Sequence, residues 1–109
     1  MMKVLVRTAS PLLLLTMAPL FAVPAHAQSG AAVYKAKCAA CHGAAGKGDT
    51  SMGKMLKVKD LSSPEVQKQS DAQLTAIIEN GKSPMPGYKD KLSSGDIKEL
   101  VSYIRSLKK

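Results

Sequence analysis

The chain has 109 residues, with no Trp, one Phe and three Tyr, and its 16 Lys and Arg against 8 Asp and Glu give a formal net charge of +8. A single domain of this size with so few aromatic side chains can build only a marginal core, so some staple beyond its own side chains is expected. The lysines are scattered instead of run together, which disfavours a nucleic-acid-binding arm and leaves two readings, a basic face that steers docking onto acidic partners or an ordinary solvated surface.

At the N-terminus, Lys3 and Arg7 give a positive start, Leu12 to Val23 is almost wholly apolar, and Ala25-His26-Ala27 fits a small-x-small cleavage pattern. Residues 1–27 therefore read as a secretory signal peptide, leaving residues 28–109 as the mature domain. Pro11, Pro19 and Pro24 interrupt the apolar stretch, which falls short of the ~20 residues a spanning helix needs. No stable membrane insertion is expected. Export places the chain in the periplasm, where thiols are handled oxidatively, and argues further against nucleic acid.

Gly30 to Ala40 is rich in alanine with no internal Pro or Gly and reads as a helix. It delivers Cys38-Ala39-Ala40-Cys41-His42. Two cysteines three positions apart with a histidine next to the second form the spacing that attaches a c-type haem: the thiols form thioethers and the imidazole reaches the iron. A redox dithiol would need a βαβ setting. Zinc would need further ligands, and apart from His26 in the signal segment His42 is the sole histidine. A disulfide between such close cysteines would restrain little of the unfolded chain. The expected cofactor is one covalently bound haem c, held by Cys38 and Cys41 with His42 as the proximal iron ligand.

Gly43, Gly46, Gly48 and Gly53 then break the helical pattern, giving a loop that can pass close to a flat ligand. From Thr50 to Val66 no clean period appears; Pro64 can open a short turn or helix, and Leu61 is a candidate core anchor. Ser70 and Asp71 open a helix with Leu74, Ile77 and Ile78 on one face, closed by Asn80-Gly81. Lys82-Ser83-Pro84-Met85-Pro86-Gly87-Tyr88 is a loop stiffened by proline on both sides of Met85. Its thioether is a soft neutral donor suited to a distal iron position. Met52 and Met55 compete for that role, but both sit in the segment without a period. The last helix is capped by Ser93 or Ser94, carries Asp96 and Glu99 early and Arg105, Lys108 and Lys109 late, and presents Ile97, Leu100, Val101 and Ile104 as one apolar face. No strand alternation or repeat appears in residues 28–109, so the fold class is all-α.

In this order of parts the sequence resembles the small bacterial class I cytochromes c over Gly30 to Leu107. The resemblance implies first and last helices crossing near Tyr34 and Tyr103 around one covalently bound haem, one edge of which is exposed. It also implies that Cys38 and Cys41 hold the haem, with His42 and Met85 as axial ligands. Many members have a proline shortly after the histidine whose carbonyl accepts the imidazole N–H; here no proline occurs between His42 and Pro64, and the acceptor is open.

The function expected is that of a periplasmic electron carrier, not an enzyme, cycling iron between Fe(II) and Fe(III) and passing single electrons between acidic-surfaced redox proteins, with monomer the default. Lys82, Lys89 or Lys47 are candidates for the exposed edge. Two other readings differ in kind. A gas sensor or peroxidase-like enzyme would need a labile Met85 and usually a distal acid–base group, for which no second mature histidine exists. An electron-accepting subunit of a periplasmic dehydrogenase would be permanently bound. Donor, acceptor, pathway and reduction potential are not written in the sequence.

Overall fold

The computed structural model describes residue 2, residues 9–19 and residues 29–109. The proposed cleavage site at Ala25-His26-Ala27 lies outside the described residues. Among the described residues six helices follow in order: α1 (Gly30–Lys37), α2 (Ala39–His42), α3 (Ser51–Leu56), α4 (Pro64–Gln67), α5 (Asp71–Asn80) and α6 (Ser94–Ser106). Among the described residues there is no strand, only an isolated bridge between Lys82 and Met85.

The helix starts follow from side-chain capping. Ser29, Thr50, Ser63, Ser70 and Ser93 each accept a hydrogen bond from a backbone N–H of the first turn they precede. In α5 and α6 the bond is reciprocated by Gln73 and Asp96, so two otherwise unpaired donors are satisfied at each end. Pro64 opens α4, where its missing N–H costs nothing.

Two expectations needed revision. The first helix does not run unbroken to Ala40: it parts at Cys38, whose φ of −115° departs from helical geometry before α2 resumes. The irregular segment after Thr50 contains α3, a helix with no visible apolar period because Met52 and Met55 point outward, 46% and 71% exposed.

The core is assembled on α6. Its buried face of Ile97, Leu100, Val101 and Ile104 packs with Val33 and Tyr34 from α1, Val66 from α4, and Leu74 and Ile78 from α5. Helices α1 and α6 cross where Gly30 leaves room for the Glu99 carbonyl and the Tyr103 side chain, and the Tyr34 and Tyr103 rings meet at 4.9 Å between centroids. Below the crossing, the short α4 is tied to α6 by polar groups. Gln67 Nε2 donates to the carbonyls of Leu61 and Ile104. Arg105 donates to Asp71 at 2.9 Å, to the Gln67 carbonyl at 2.8 Å and to the Gln69 carbonyl. This fixes residues 61–70, which would otherwise be loop with little apolar anchoring, against the end of the longest helix.

Candidate haem site

A cavity of about 400 Å³ opens between α1–α2, the 56–61 segment, α5 and the loop that follows it, within the roughly 300–1,000 Å³ usual for cofactor sites. Its walls are mainly apolar, including Val66, Leu74, Ile77, Ile78, Leu100 and Ile104. Several of these also belong to the core, so the inner wall of the cavity is the hydrophobic cluster itself, while its mouth, with Lys37 and Lys82, is open to solvent.

Cys38, Cys41, His42 and Met85 all line this cavity. Both cysteines are unpaired thiols and half-buried. Burial, then the neighbouring Cys41, pushes the Cys38 thiol up to about 11, so it stands as a neutral SH and not as a metal-seeking thiolate. Among the described residues no three His, Cys, Asp or Glu side chains gather as a metal site. Burial also lowers the His42 pKa, which keeps the imidazole in its neutral, donor-capable form.

The ring orientation is informative. Nδ1 of His42 is buried with no hydrogen-bond partner, the one such side-chain nitrogen or oxygen among the described residues. That leaves Nε2 as the nitrogen available to the cavity. The carbonyls next to the histidine in the chain each accept from another group: Cys41 O from the Thr50 hydroxyl at 3.0 Å, His42 O from Gly48 N–H at 2.7 Å, and Gly43 O from the Tyr34 hydroxyl at 2.5 Å. Gly43 itself has a φ of 82°, turning the chain sharply after the histidine, where a Cβ would strike the Asp49 carboxylate.

Met85 enters from the other side of the chain. The 82–87 loop closes on itself through paired Lys82 and Met85 backbone hydrogen bonds of 3.1 and 2.8 Å, and Tyr88 N–H and Lys89 N–H bond back to Ile78 and Glu79 of α5. Met52 and Met55, the competing thioethers, are exposed and do not line the cavity. The apolar walls, two thiols, a neutral imidazole and a thioether form a donor set that fits a haem attached through two thioethers.

Of the lysines expected at the rim, Lys82 lines the cavity while Lys47 and Lys89 do not; Lys37, Lys57 and Lys59 do. The signal for Lys37 was present in its place immediately before Cys38. Lys57 and Lys59 were hidden by the unrecognised α3, whose end, with Lys57 in a left-handed conformation, turns the chain toward the cavity. Tyr34 was expected only at the helix crossing; its four-residue spacing from Cys38 also puts it on the cavity side of α1.

A family model described as cytochrome c oxidase, cbb3-type, subunit III matches residues 25–104. The chain is 35% identical over 83 residues to cytochrome c6 of Synechocystis sp., covering 76% of this chain and 67% of that one. It is 36% identical over 80 residues to cytochrome c6 of Leptolyngbya boryana, covering 73% and 91% respectively. Among solved structures, the KustC0563 c-type cytochrome superposes with a TM-score of 0.70 at 32% identity, covering 75% of this chain and 100% of that one. With its all-α fold and this cavity, the chain belongs to the cytochrome c family, as a small class I member of the kind that carries one covalently bound haem c and transfers electrons.

Proposed function

We propose that Cys38 and Cys41 would hold the haem through thioethers, that His42 Nε2 and Met85 Sδ would bind its iron, and that the chain works as a periplasmic carrier of single electrons after removal of residues 1–27. The observation that carries this is the convergence of those four side chains on one apolar cavity from two separate segments. The bound haem supplies a one-electron Fe(II)/Fe(III) couple. The protein supplies two neutral donors in stiff settings, so little has to move when the charge at the site changes by one.

His42 is kept neutral by burial and Met85 is presented by a loop closed on itself. The Tyr34 and Thr50 hydroxyls hold the backbone on either side of the histidine, and the apolar walls exclude water. No described helix is long and apolar enough to cross a membrane. Lys37, Lys57 and Lys82 give the cavity rim a positive potential that would steer an acidic-surfaced donor or acceptor onto it, while Lys59 at the same rim is ion-paired with Glu65.

The test is the optical spectrum of the mature haem-loaded protein, oxidised and reduced, beside Met85→Ala. A weak red-end ferric band lost in the variant, with a sharp low-spin reduced spectrum, is expected. A high-spin wild-type spectrum that responds to carbon monoxide or cyanide at once would overturn the Met85 assignment and the carrier reading built on it.

A further inference from the structure

Resting on the assignment of Met85 to the iron, we propose that Tyr88 is a positioning residue for it: its hydroxyl latches the Met85 loop to the haem-attachment helix and slows the loss of the thioether from the metal. The backbone N–H groups of Lys82, Met85, Tyr88 and Lys89 donate either within the segment or to α5. The loop is therefore stiff internally, and Met85 can leave only if the loop moves as a body with respect to α1. Among the described residues, the hydrogen bond that joins the two sides is the one from the Tyr88 hydroxyl to the Lys37 carbonyl, 3.3 Å long and spanning 51 residues of sequence. Lys37 immediately precedes Cys38, so the latch closes directly over the attachment point.

Three further observations place the ring there. Tyr88 lines the cavity together with Lys37 and Met85. Its pKa is raised chiefly by burial, in keeping with a ring turned inward from solvent. Its outer side is braced by Lys91, whose Nζ lies 5.7 Å from the ring centroid, and its carbonyl accepts from the N–H groups of Lys91 and Leu92, both at 2.9 Å. The ring is thus fixed from behind while its hydroxyl reaches forward. A long, solvent-accessible hydrogen bond belongs to the lower half of the usual range, which corresponds to about a two- to fivefold effect on a rate that requires its rupture.

The experiment compares haem-loaded wild type, Tyr88→Phe and Tyr103→Phe, following displacement of the ferric Met ligand by added imidazole at saturating concentration. Tyr88→Phe keeps the ring and removes only the hydroxyl. The expected result is a displacement rate about two- to fivefold faster in Tyr88→Phe, with an unchanged rate in Tyr103→Phe and thermal midpoints alike in all three. An unchanged rate in Tyr88→Phe would overturn the latch, as would equal acceleration in Tyr103→Phe, which would mark a general loosening. Absence of a Met-dependent band in the wild type, read before either variant, would instead remove the ligand assignment and the latch with it.

Discussion

The crossing of α1 and α6 can be tested at a single atom. Gly30 is buried, and a Cβ added there would press on the Glu99 carbonyl oxygen and stand 2.8 Å from the Glu99 carbonyl carbon and 2.9 Å from Tyr103 Cβ. Carbon atoms in contact rest at about 3.5–4.0 Å, so the crossing must open by about 1 Å. Glu99 cannot yield, because the obstructing atoms are backbone in the middle of α6. Forced separation of this kind costs about 1–3 kcal/mol. Helix propensity argues the other way, since Gly→Ala in a helix interior gains about 0.5–1 kcal/mol, and less at a first helical position. The clash wins. Gly30→Ala should lose about 2 kcal/mol, lowering the midpoint of the haem-loaded protein in a far-UV circular dichroism melt by about 10 °C. As a control, Ala36→Gly in the exposed part of α1 should cost about 1 kcal/mol through propensity alone. A Gly30→Ala midpoint equal to or above wild type would refute the reasoning.

Other outcomes follow from the same structure. A Cys38→Ser, Cys41→Ser double variant should be largely unfolded, because the inner wall of the cavity is the core itself and needs the macrocycle to pack against; a cooperative melt with wild-type helicity would contradict this. Tyr34, buried and with its pKa raised to about 12 chiefly by that burial, favours folding while protonated. Its contribution is complete below the ordinary tyrosine value of about 10 and is lost as pH climbs from there to about 12, so Tyr34→Phe should flatten the alkaline limb of stability against pH. Lys57→Glu and Lys82→Glu should each slow association with an acidic-surfaced redox protein by up to about fivefold at low salt. The difference should fade at high salt, and a rate indifferent to salt would dismiss steering.

What could be read from the sequence was whatever local chemistry announces itself. Ser70 with Asp71, and Ser93 with Asp96, mark helix starts by local chemistry alone, and the apolar stripe of α6 needs no partner to be seen. Helix α3 was illegible for the opposite reason. Gly53 sits inside it not for propensity but because a Cβ would strike the carbonyls of Cys41 and Gly48, and its methionines face solvent. The Cys38, Cys41 and His42 cluster is local in sequence, so its convergence was foreseeable; Met85 joins it only through the turn after α5. Of the three lysines expected at the rim only Lys82 lines the cavity, and Lys57 and Lys59 were missed because they depend on how an unrecognised helix ends.

The two helices that cross at Gly30 stand at opposite ends of the domain, so the crossing closes a loop of ~70 residues, and the closure entropy for a loop of that length must be met before their packing gives anything back. The chain is in effect a ring fastened by noncovalent contact between its two ends. A ring opens everywhere when its fastening opens. Removing the last turn of α6, with Ile104 and the Arg105 contacts to residues 67–71, would therefore release the cavity wall, the α4 segment and the N-terminal helix together. Trimming by a protease at this end should accordingly act as an all-or-none switch on the whole domain, whereas the exposed α3 surface can be altered with only local effect.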